Sequence, residues 1–300
     1  MYHYKIRKSA PNHELNQLFR KAFIVTLGGN CILAVAKSYA ALVSGSTAIY
    51  ADAVNSISDV VYSILLIIGL RLSQRPPDAT HPQGHSRFEP FVGLMITVSM
   101  SLAGFEALRA SYMRFKEGGG FIVLDCAIII LVFSAVIKGL MYLQIKNFAK
   151  KTISPGLDAT ALDNLSDVLT SLAAFVGIIG TNFIHPLFDP LAGFVVAFWI
   201  FRSAFLSAKE NFGFLTGAAA DNETHEKILQ IAKQVEGVDE VHSIISEYSG
   251  PKLVIDMHIN VDGEISLNQA HAICDTVTKK LEALPEIDRV YVHVEPIGFR

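Results

Sequence analysis

Six long apolar stretches alternate with short polar breaks over roughly the first 210 residues of the chain. Each stretch holds about 20 or more mostly apolar residues, which is the length of a helix that crosses a lipid bilayer. The breaks between them carry glycine, proline and polar residues, the usual composition of turns. The pattern therefore predicts six transmembrane helices, at residues 22–43, 47–72, 88–113, 121–145, 157–182 and 188–209.

The remaining residues show shorter periods that are typical of a small soluble domain. Residues 223–235 and 267–283 place apolar side chains at helical spacing, whereas 239–248, 252–261 and 288–295 alternate apolar and polar side chains as strands do. The predicted order is therefore αββαβ. The chain is expected to divide into an N-terminal segment 1–21, a transmembrane domain 22–212 and a soluble domain 213–300.

Composition agrees with a membrane protein and excludes some partners. The chain is 51% hydrophobic and 18% charged, whereas soluble domains average about 25% charged residues. The net charge is −3 and there is no basic patch with interleaved aromatic residues, so nucleic acid is not an expected partner. The three cysteines, Cys31, Cys126 and Cys274, are far apart and suggest neither a disulfide framework nor a cysteine metal site.

The distribution of lysine and arginine predicts the direction of the helices in the membrane. Positive charges are concentrated in the N-terminal segment and in the second and fourth connections, and they are sparse in the others. Because such loops stay on the cytoplasmic side, both termini are expected to be cytoplasmic. The first ~20 residues are polar, unlike a cleavable signal peptide, so the first span is expected to act as its own signal.

The same polar pattern occurs twice inside apolar stretches. NSISDVV in the second stretch contains Asn55 and Asp59, and DNLSDVL in the fifth contains Asp163 and Asp167. Residues i and i+4 share one face of a helix, and an ionisable residue at bilayer depth costs at least ~2.5–3.5 kcal/mol. Three carboxylates would repel one another unless a divalent cation joined them. Helix–helix hydrogen bonding is the alternative explanation, but the duplication favours two halves of one cation site.

The types of ligand bear on which metal would bind. The four side chains of the repeated pattern offer only oxygen atoms, which suit Mn²⁺ better than Zn²⁺, with Fe²⁺ as the next choice; carboxylates also bind Zn²⁺. A second candidate lies in the loop sequence DATHPQGH, where Asp78, His81 and His85 form a compact set of oxygen and nitrogen ligands. The alternative there is a polar turn without a metal.

These motifs resemble those of the bacterial cation diffusion facilitators, a family of proton-coupled divalent-metal exporters, over roughly residues 20–298. The resemblance implies that the pairs in the second and fifth spans form the transport site. Zinc exporters of the family usually have His in the fifth-span pair. This chain has Asp163 there and Asn55 in the second-span pair, so it is most similar to the manganese exporters.

The resemblance also implies sites outside the membrane. The loop residues Asp78, His81 and His85 match a metal site of the family. The last domain is similar to its ferredoxin-like cytoplasmic domain, which dimerises and binds metal. Strand alternation places His258 on the face of its strand opposite the buried one. It places His293 and Glu295 together on the outer face of the last strand. In the family, a basic residue at the position of Arg87 can form an ion pair between dimer partners with an acid just after the sixth span. Thr216 takes the position of that acid here, so this ion pair is not expected. The implied metal-binding positions of the domain are His242, His258, His271, His293 and Glu295.

The expected function is efflux of a divalent cation, Mn²⁺ first, in exchange for protons. The chain is then an antiporter and not an enzyme, and no HExxH motif suggests a membrane metalloenzyme. The expected setting is the bacterial inner membrane, as a homodimer. Metal would be bound as substrate and as a regulator of the cytoplasmic domain, without a prosthetic group. The alternatives are a Zn²⁺ or Fe²⁺ exporter, an ion channel, and a membrane-bound metal sensor that does not transport.

Overall fold

The computed structural model describes residues 13–44, 47–118 and 127–298. It divides into two compact units, Met1–Asn211 and Phe212–Arg300. The start of the predicted N-terminal segment, 1–12, and the start of the predicted fourth span, 121–126, lie outside the described residues. The predicted class is confirmed, because a helical domain with several apolar spans is followed by a small α+β domain.

The first unit consists of long helices. Five of them, α1, α2, α3, α5 and α6, are long and apolar enough over the described residues to cross a membrane. The helices extend past the apolar stretches, since polar residues continue the helix beyond them. The bounds are α1 His13–Ser44, α2 Thr47–Ser73, α3 Phe88–Lys116, α4 Ala127–Thr152, α5 Pro155–Phe183 and α6 Phe188–Thr216.

Glycines allow these helices to approach one another closely. A Cβ atom on Gly69 of α2 would lie 2.0 Å from Val92 Cγ2 of α3, and one on Gly193 of α6 would lie 2.0 Å from Ser111 Oγ of α3. Small residues at contacts are typical of membrane helices, which associate by close packing. Large apolar side chains on the outside are exposed, for example Phe198 at 72%. This is the surface expected of a domain surrounded by lipid.

The packing brings three helices, α1, α3 and α4, around the repeated polar motifs of α2 and α5. Helix α4 packs against α5 and α1, α1 packs against α2, and α3 packs against both α2 and α5. Helix α5 begins sharply, because the Ser154 side chain accepts a hydrogen bond from the Leu157 N–H at 3.2 Å and Pro155 occupies the first turn. Its start fixes the depth of the second motif, which follows two to three turns later.

The second unit has helices α7 Asn222–Lys233 and α8 Leu267–Glu282, and strands β1 Glu240–Ser249, β2 Lys252–Val261 and β3 Ile287–Pro296. The strand order is β1-β2-β3. Strands β1 and β2 are antiparallel, and β2 and β3 are parallel with α8 as the crossover. The helices cover one face of the sheet, and the core includes Ile228, Ile255, Met257, Val277 and Leu281, all fully buried.

Candidate functional site

A buried lysine lies between the carboxylates of the two repeated motifs. Lys138 of α4 has a side chain only 3% exposed; its Nζ donates a hydrogen bond to Asp59 Oδ2 of α2 at 2.8 Å. The same Nζ forms an ion pair with Asp167 Oδ2 of α5 at 2.7 Å. Asp163 is close enough to interact electrostatically with Lys138, Asp59 and Asp167. We refer to Asp59, Asp163 and Asp167 as the carboxylate cluster.

Two cavities reach this cluster from different directions. A wide cavity of about 360 Å³ is lined by Asn55, Asp163 and Asp167, together with the second half of α3. A narrow cavity of about 20 Å³ is lined by Asp59 and Asp163, together with the middle of α1, the second half of α2 and the first halves of α3 and α5. Because Asp163 lines both cavities, the carboxylate cluster separates the space toward one end of the bundle from the space toward the other.

The narrow cavity is lined by polar atoms that are free to accept hydrogen bonds. Three buried oxygens on its wall, Thr26 Oγ1, Asn30 Oδ1 and Asn164 Oδ1, have no hydrogen-bond partner within the described part of the chain. A volume near 20 Å³ is enough for about one water molecule. The Asn30 amide also donates to Ser63 Oγ at 2.8 Å, and the Ser63 hydroxyl donates to the Asp59 carbonyl at 2.7 Å, which ties α1 to the Asp59 turn of α2.

The lysine changes the charge balance inferred from the sequence. The repeated motifs alone leave the carboxylates without a counter-charge from the protein, whereas Lys138 provides one. Lys37 of α1, 6% exposed, also acts electrostatically on Asp167. The carboxylate cluster is not among the groups of described residues that place three ligand atoms within 4.8 Å of one another. Lys138 was missed because it lies alone in an apolar stretch; that isolation was itself the available signal.

The loop between α2 and α3 brings its three predicted ligands together. Asp78 lies 3.6 Å from His81 Nδ1 and 3.3 Å from His85 Nε2, and the two imidazole rings are 4.4 Å apart. One ligand atom from each residue lies within 4.8 Å of the others. His85 is buried against Phe88 at the start of α3, with stacked rings 5.9 Å apart. The turn therefore presents one carboxylate and two imidazoles as a group able to hold a divalent cation.

Asp78 is ionised over the whole physiological pH range. Hydrogen bonds from the Thr80 hydroxyl and from the His81 backbone N–H lower the pKa of Asp78 to about 2. The Asp78 Oδ1 atom accepts from the Thr80 N–H at 2.8 Å and from the His81 N–H at 2.7 Å. The loop thus holds an anionic ligand in place through its own backbone.

The soluble domain gathers a second cluster on the open face of its sheet. Glu295 of β3 lies 3.2 Å from His258 Nδ1, 3.4 Å from His242 Nε2 and 3.4 Å from His293 Nε2. His258 and His293 are register partners on the parallel strands, and His242 lies in a bulge of β1. His242, His258 and Glu295 place one ligand atom each within 4.8 Å of the others. We refer to these three residues as the sheet cluster.

Two predicted ligands lie outside that cluster. His293 contacts Glu295 but is not one of the three residues with mutually close ligand atoms. His271, on α8, is 75% exposed and lies 3.9 Å from Asp275 of the same helix. Behind the cluster, His242 Nδ1 lies 2.8 Å from Asn260 Oδ1, which orients the imidazole. The sequence had not identified Asn260, whose signal is its alternation with His258 on the same face of β2.

Comparison with known proteins shows the same two parts. The profile described as "Cation efflux transmembrane domain" matches residues 23–216, and the profile "Cation efflux protein, cytoplasmic domain" matches residues 220–297. An uncharacterized transporter of Methanocaldococcus jannaschii is 33% identical, over 92% of this chain and 97% of that protein. The manganese efflux system protein MneS of Bacillus subtilis is 28% identical, over 91% and 94%.

Other relatives extend these findings. The magnetosome protein MamM of Paramagnetospirillum magneticum is 30% identical, over 84% of this chain and 80% of that protein. Among solved structures, a nickel form of a MamM CTD variant is 28% identical and covers 25% of this chain and 98% of its own, with a TM-score of 0.25.

Proposed function

Because the chain belongs to the cation efflux family of transporters, we propose that it exports a divalent transition-metal cation in exchange for protons, by alternating access around Asn55 and the carboxylate cluster. One observation carries this proposal. Three carboxylates from α2 and α5 lie around one point inside apolar helices, with a cavity on either side. Ionisable groups at bilayer depth that line a cavity mark an ion pathway.

Mn²⁺ is the favoured substrate. Asn55 and the carboxylate cluster offer amide and carboxylate oxygens, and oxygen ligands suit Mn²⁺ better than the imidazole and thiolate ligands that select zinc or copper. Two relatives, MneS and MneP of Bacillus subtilis, are manganese efflux proteins by name. Fe²⁺ and Zn²⁺ are the alternative substrates, because a carboxylate can also bind these ions.

Proton exchange follows from the charge of the site. A dication offsets the mutual repulsion of Asp59, Asp163 and Asp167 while it is bound. When it leaves, protonation of a carboxylate offsets part of the same repulsion, so metal and protons compete for one set of oxygens. No single carboxylate of the cluster is assigned as the proton carrier.

The direction of transport rests on the proposed topology. With both termini cytoplasmic in the bacterial inner membrane, the second half of α3 lies in the outer half of the membrane. The wide cavity, which it lines, then opens to the outer side. The narrow cavity, with its unpaired oxygens, is the route from the cytoplasm. The soluble domain joins two copies of the chain as a homodimer, and metal at the sheet cluster regulates that dimer.

Metal uptake into inside-out proteoliposomes tests the proposal. We expect Mn²⁺ uptake with release of protons from the lumen, reported by a trapped pH dye, and loss of both signals in Asp163→Ala. Asp158→Asn is the matched control, because Asp158 lies on the same helix, pairs with Lys146 and does not contact Lys138. Faster movement of Zn²⁺ than of Mn²⁺ would overturn the choice of metal, and unchanged uptake by Asp163→Ala would overturn the transport site.

The same experiment separates other classes of function. A channel would show flux that does not saturate with Mn²⁺ and is not coupled to protons. A membrane-bound sensor would bind metal in its soluble domain but show no uptake, with or without Asp163. The sheet cluster is the feature that favours sensing, and in our proposal this role is added to transport.

A further inference from the structure

Lys138 holds the carboxylate oxygens that an incoming cation would need. We propose that Lys138 is a tethered counter-cation of the transport site, which competes with the substrate cation for Asp59 and Asp167 and returns to them when the cation leaves. This inference rests on the proposed function, and it adds a residue from α4 to a site that the repeated motifs assign to α2 and α5 alone.

The geometry makes the competition direct. The ammonium lies 2.8 Å from Asp59 Oδ2 and 2.7 Å from Asp167 Oδ2. A divalent metal binds carboxylate oxygen at about 2.0–2.2 Å. If it used either of those oxygens, the two cations would lie within about 5 Å of each other, where charges in a poorly solvated site interact strongly. Either the ammonium withdraws when the metal binds, or it stays and lowers the affinity of the site for the metal.

The surroundings of Lys138 keep the ammonium in this role. Its side chain is 3% exposed, so it has no access to solvent as an alternative partner. Asp167 is 30% exposed and lines the wide cavity, whereas Asp59 is 14% exposed and lines the narrow one. A flexible lysine stem can swing between the two carboxylates, so the ammonium can leave the oxygens on one side of the cluster and remain paired on the other.

The competition has a consequence for turnover. An ion pathway works only if binding is strong enough to capture the ion and weak enough to release it. Three carboxylates without an internal cation would hold a dication tightly and release it slowly. Lys138 lowers the affinity for the bound metal, and it then covers the carboxylates of the empty carrier. The residue thus sets the balance between capture and release.

The test compares three substitutions in the full-length protein. Lys138→Met removes the charge and keeps the length, Lys138→Gln is a second neutral variant that can still donate hydrogen bonds, and Lys138→Arg keeps the charge. We expect the neutral variants to lower the KM for Mn²⁺ uptake at least tenfold and to lower kcat, while Lys138→Arg stays near the wild type. A purely structural role would change the amount of folded protein without this joint decrease of KM and kcat.

Direct binding gives a readout that does not depend on transport. Mn²⁺ titration of the detergent-solubilised protein is compared with Asp163→Ala, so that binding at the loop and the sheet cluster can be subtracted. A tighter dissociation constant in Lys138→Met or Lys138→Gln supports the proposal, and an unchanged or weaker one overturns it. Loss of uptake in Asp163→Ala with unchanged KM in both neutral variants overturns the counter-cation alone, whereas full uptake by Asp163→Ala overturns the proposed function.

Discussion

The ion pairs of Lys138 lead to a quantitative prediction about the stability of the helical domain. Replacing both Asp59 and Asp167 by Asn would leave the buried ammonium without its two close anionic contacts, at 2.8 and 2.7 Å. At such a distance, an effective dielectric constant of about 20 gives each contact roughly 6 kcal/mol of attraction before desolvation is counted. The Lys138 side chain is 3% exposed, so water has little access to replace these contacts, and Asp163 is the one carboxylate of the cluster left near the ammonium.

The net cost of this change is smaller than the gross attraction. Taking each ion out of water costs several kcal/mol, and removing the partner of a buried charge destabilises a protein by about 3–5 kcal/mol. Asp167→Asn alone should cost less than this, since Asp59 still holds the ammonium. The double variant Asp59→Asn/Asp167→Asn should lose about 3–5 kcal/mol of unfolding free energy, and adding Lys138→Met should recover most of that loss, because the buried Lys138 ammonium is then gone.

Unfolding in detergent micelles measures the effect. The midpoint of an SDS titration, followed by far-UV circular dichroism, is compared among wild type, double variant and triple variant. Asp158→Asn is the matched control, because Asp158 and Lys146 join α5 to α4, as Asp167 and Lys138 do, but are each 31% exposed. A pair this accessible to solvent should contribute less than about 1 kcal/mol.

Two results would refute this reasoning. A double variant with the midpoint of the wild type would mean that Lys138 finds other partners at little cost. A triple variant no more stable than the double variant would mean that the loss comes from the carboxylates themselves and not from the stranded lysine.

Two further predictions concern the soluble domain. Glu295→Gln removes the carboxylate that lies within 3.4 Å of three histidines. In an Asp163→Ala background it should abolish one equivalent of metal binding, measured by calorimetric titration. His271→Ala changes a residue outside the sheet cluster and should retain that equivalent, so loss of the equivalent in His271→Ala would contradict the assignment. The cap of α7 should depend on pH, because the hydrogen bond from the Thr224 backbone N–H lowers the pKa of Asp221 below its ordinary value. The cap's contribution is therefore present above about pH 4, the unfolded pKa, and is lost as the pH falls through the lower folded pKa. Asp221→Ala should lower the melting temperature of this domain at pH 7, with a difference that shrinks below pH 4; a difference independent of pH would exclude the carboxylate as its cause.

The apolar pattern was sufficient to predict the helices, because a spanning helix needs little more than length and hydrophobicity. Their ends were harder to predict. Helix α6 continues to Thr216, past the predicted end at 209, since the residues after the apolar stretch also favour a helix. In the soluble domain, alternation placed Ile255 and Met257 on the buried face, where both are 0% exposed. The spacing of apolar residues along the chain is a local property of the sequence. The helices and the buried face of the strand depend on that spacing, so they could be predicted.

The composition of the site could be predicted only in part. The repeated motif marks Asp59 and Asp167 as candidates, because duplication is visible in the sequence. Lys138 appears once, and its role depends on how α4 packs between α1 and α5, which no local pattern specifies. The bulge that brings His242 toward Glu295 is likewise a property of strand register. Lys138 was therefore missed, and His242 was grouped with Glu295 only through the resemblance to the family.

The position of Lys138 couples the stability of the empty protein to its affinity for metal. Any change that strengthens the pairing of the ammonium with Asp59 or Asp167 favours the empty state and weakens metal binding by the same free energy, since both depend on the same oxygens. A carrier has to change conformation both with and without its substrate, and bare carboxylates would penalise the empty form at bilayer depth. With an internal cation, the loaded and the empty site each contain a positive charge among the carboxylates. On this argument, substitutions at Lys138 that increase metal affinity should slow the return of the empty carrier, so the lysine sets a limit on turnover as well as on binding.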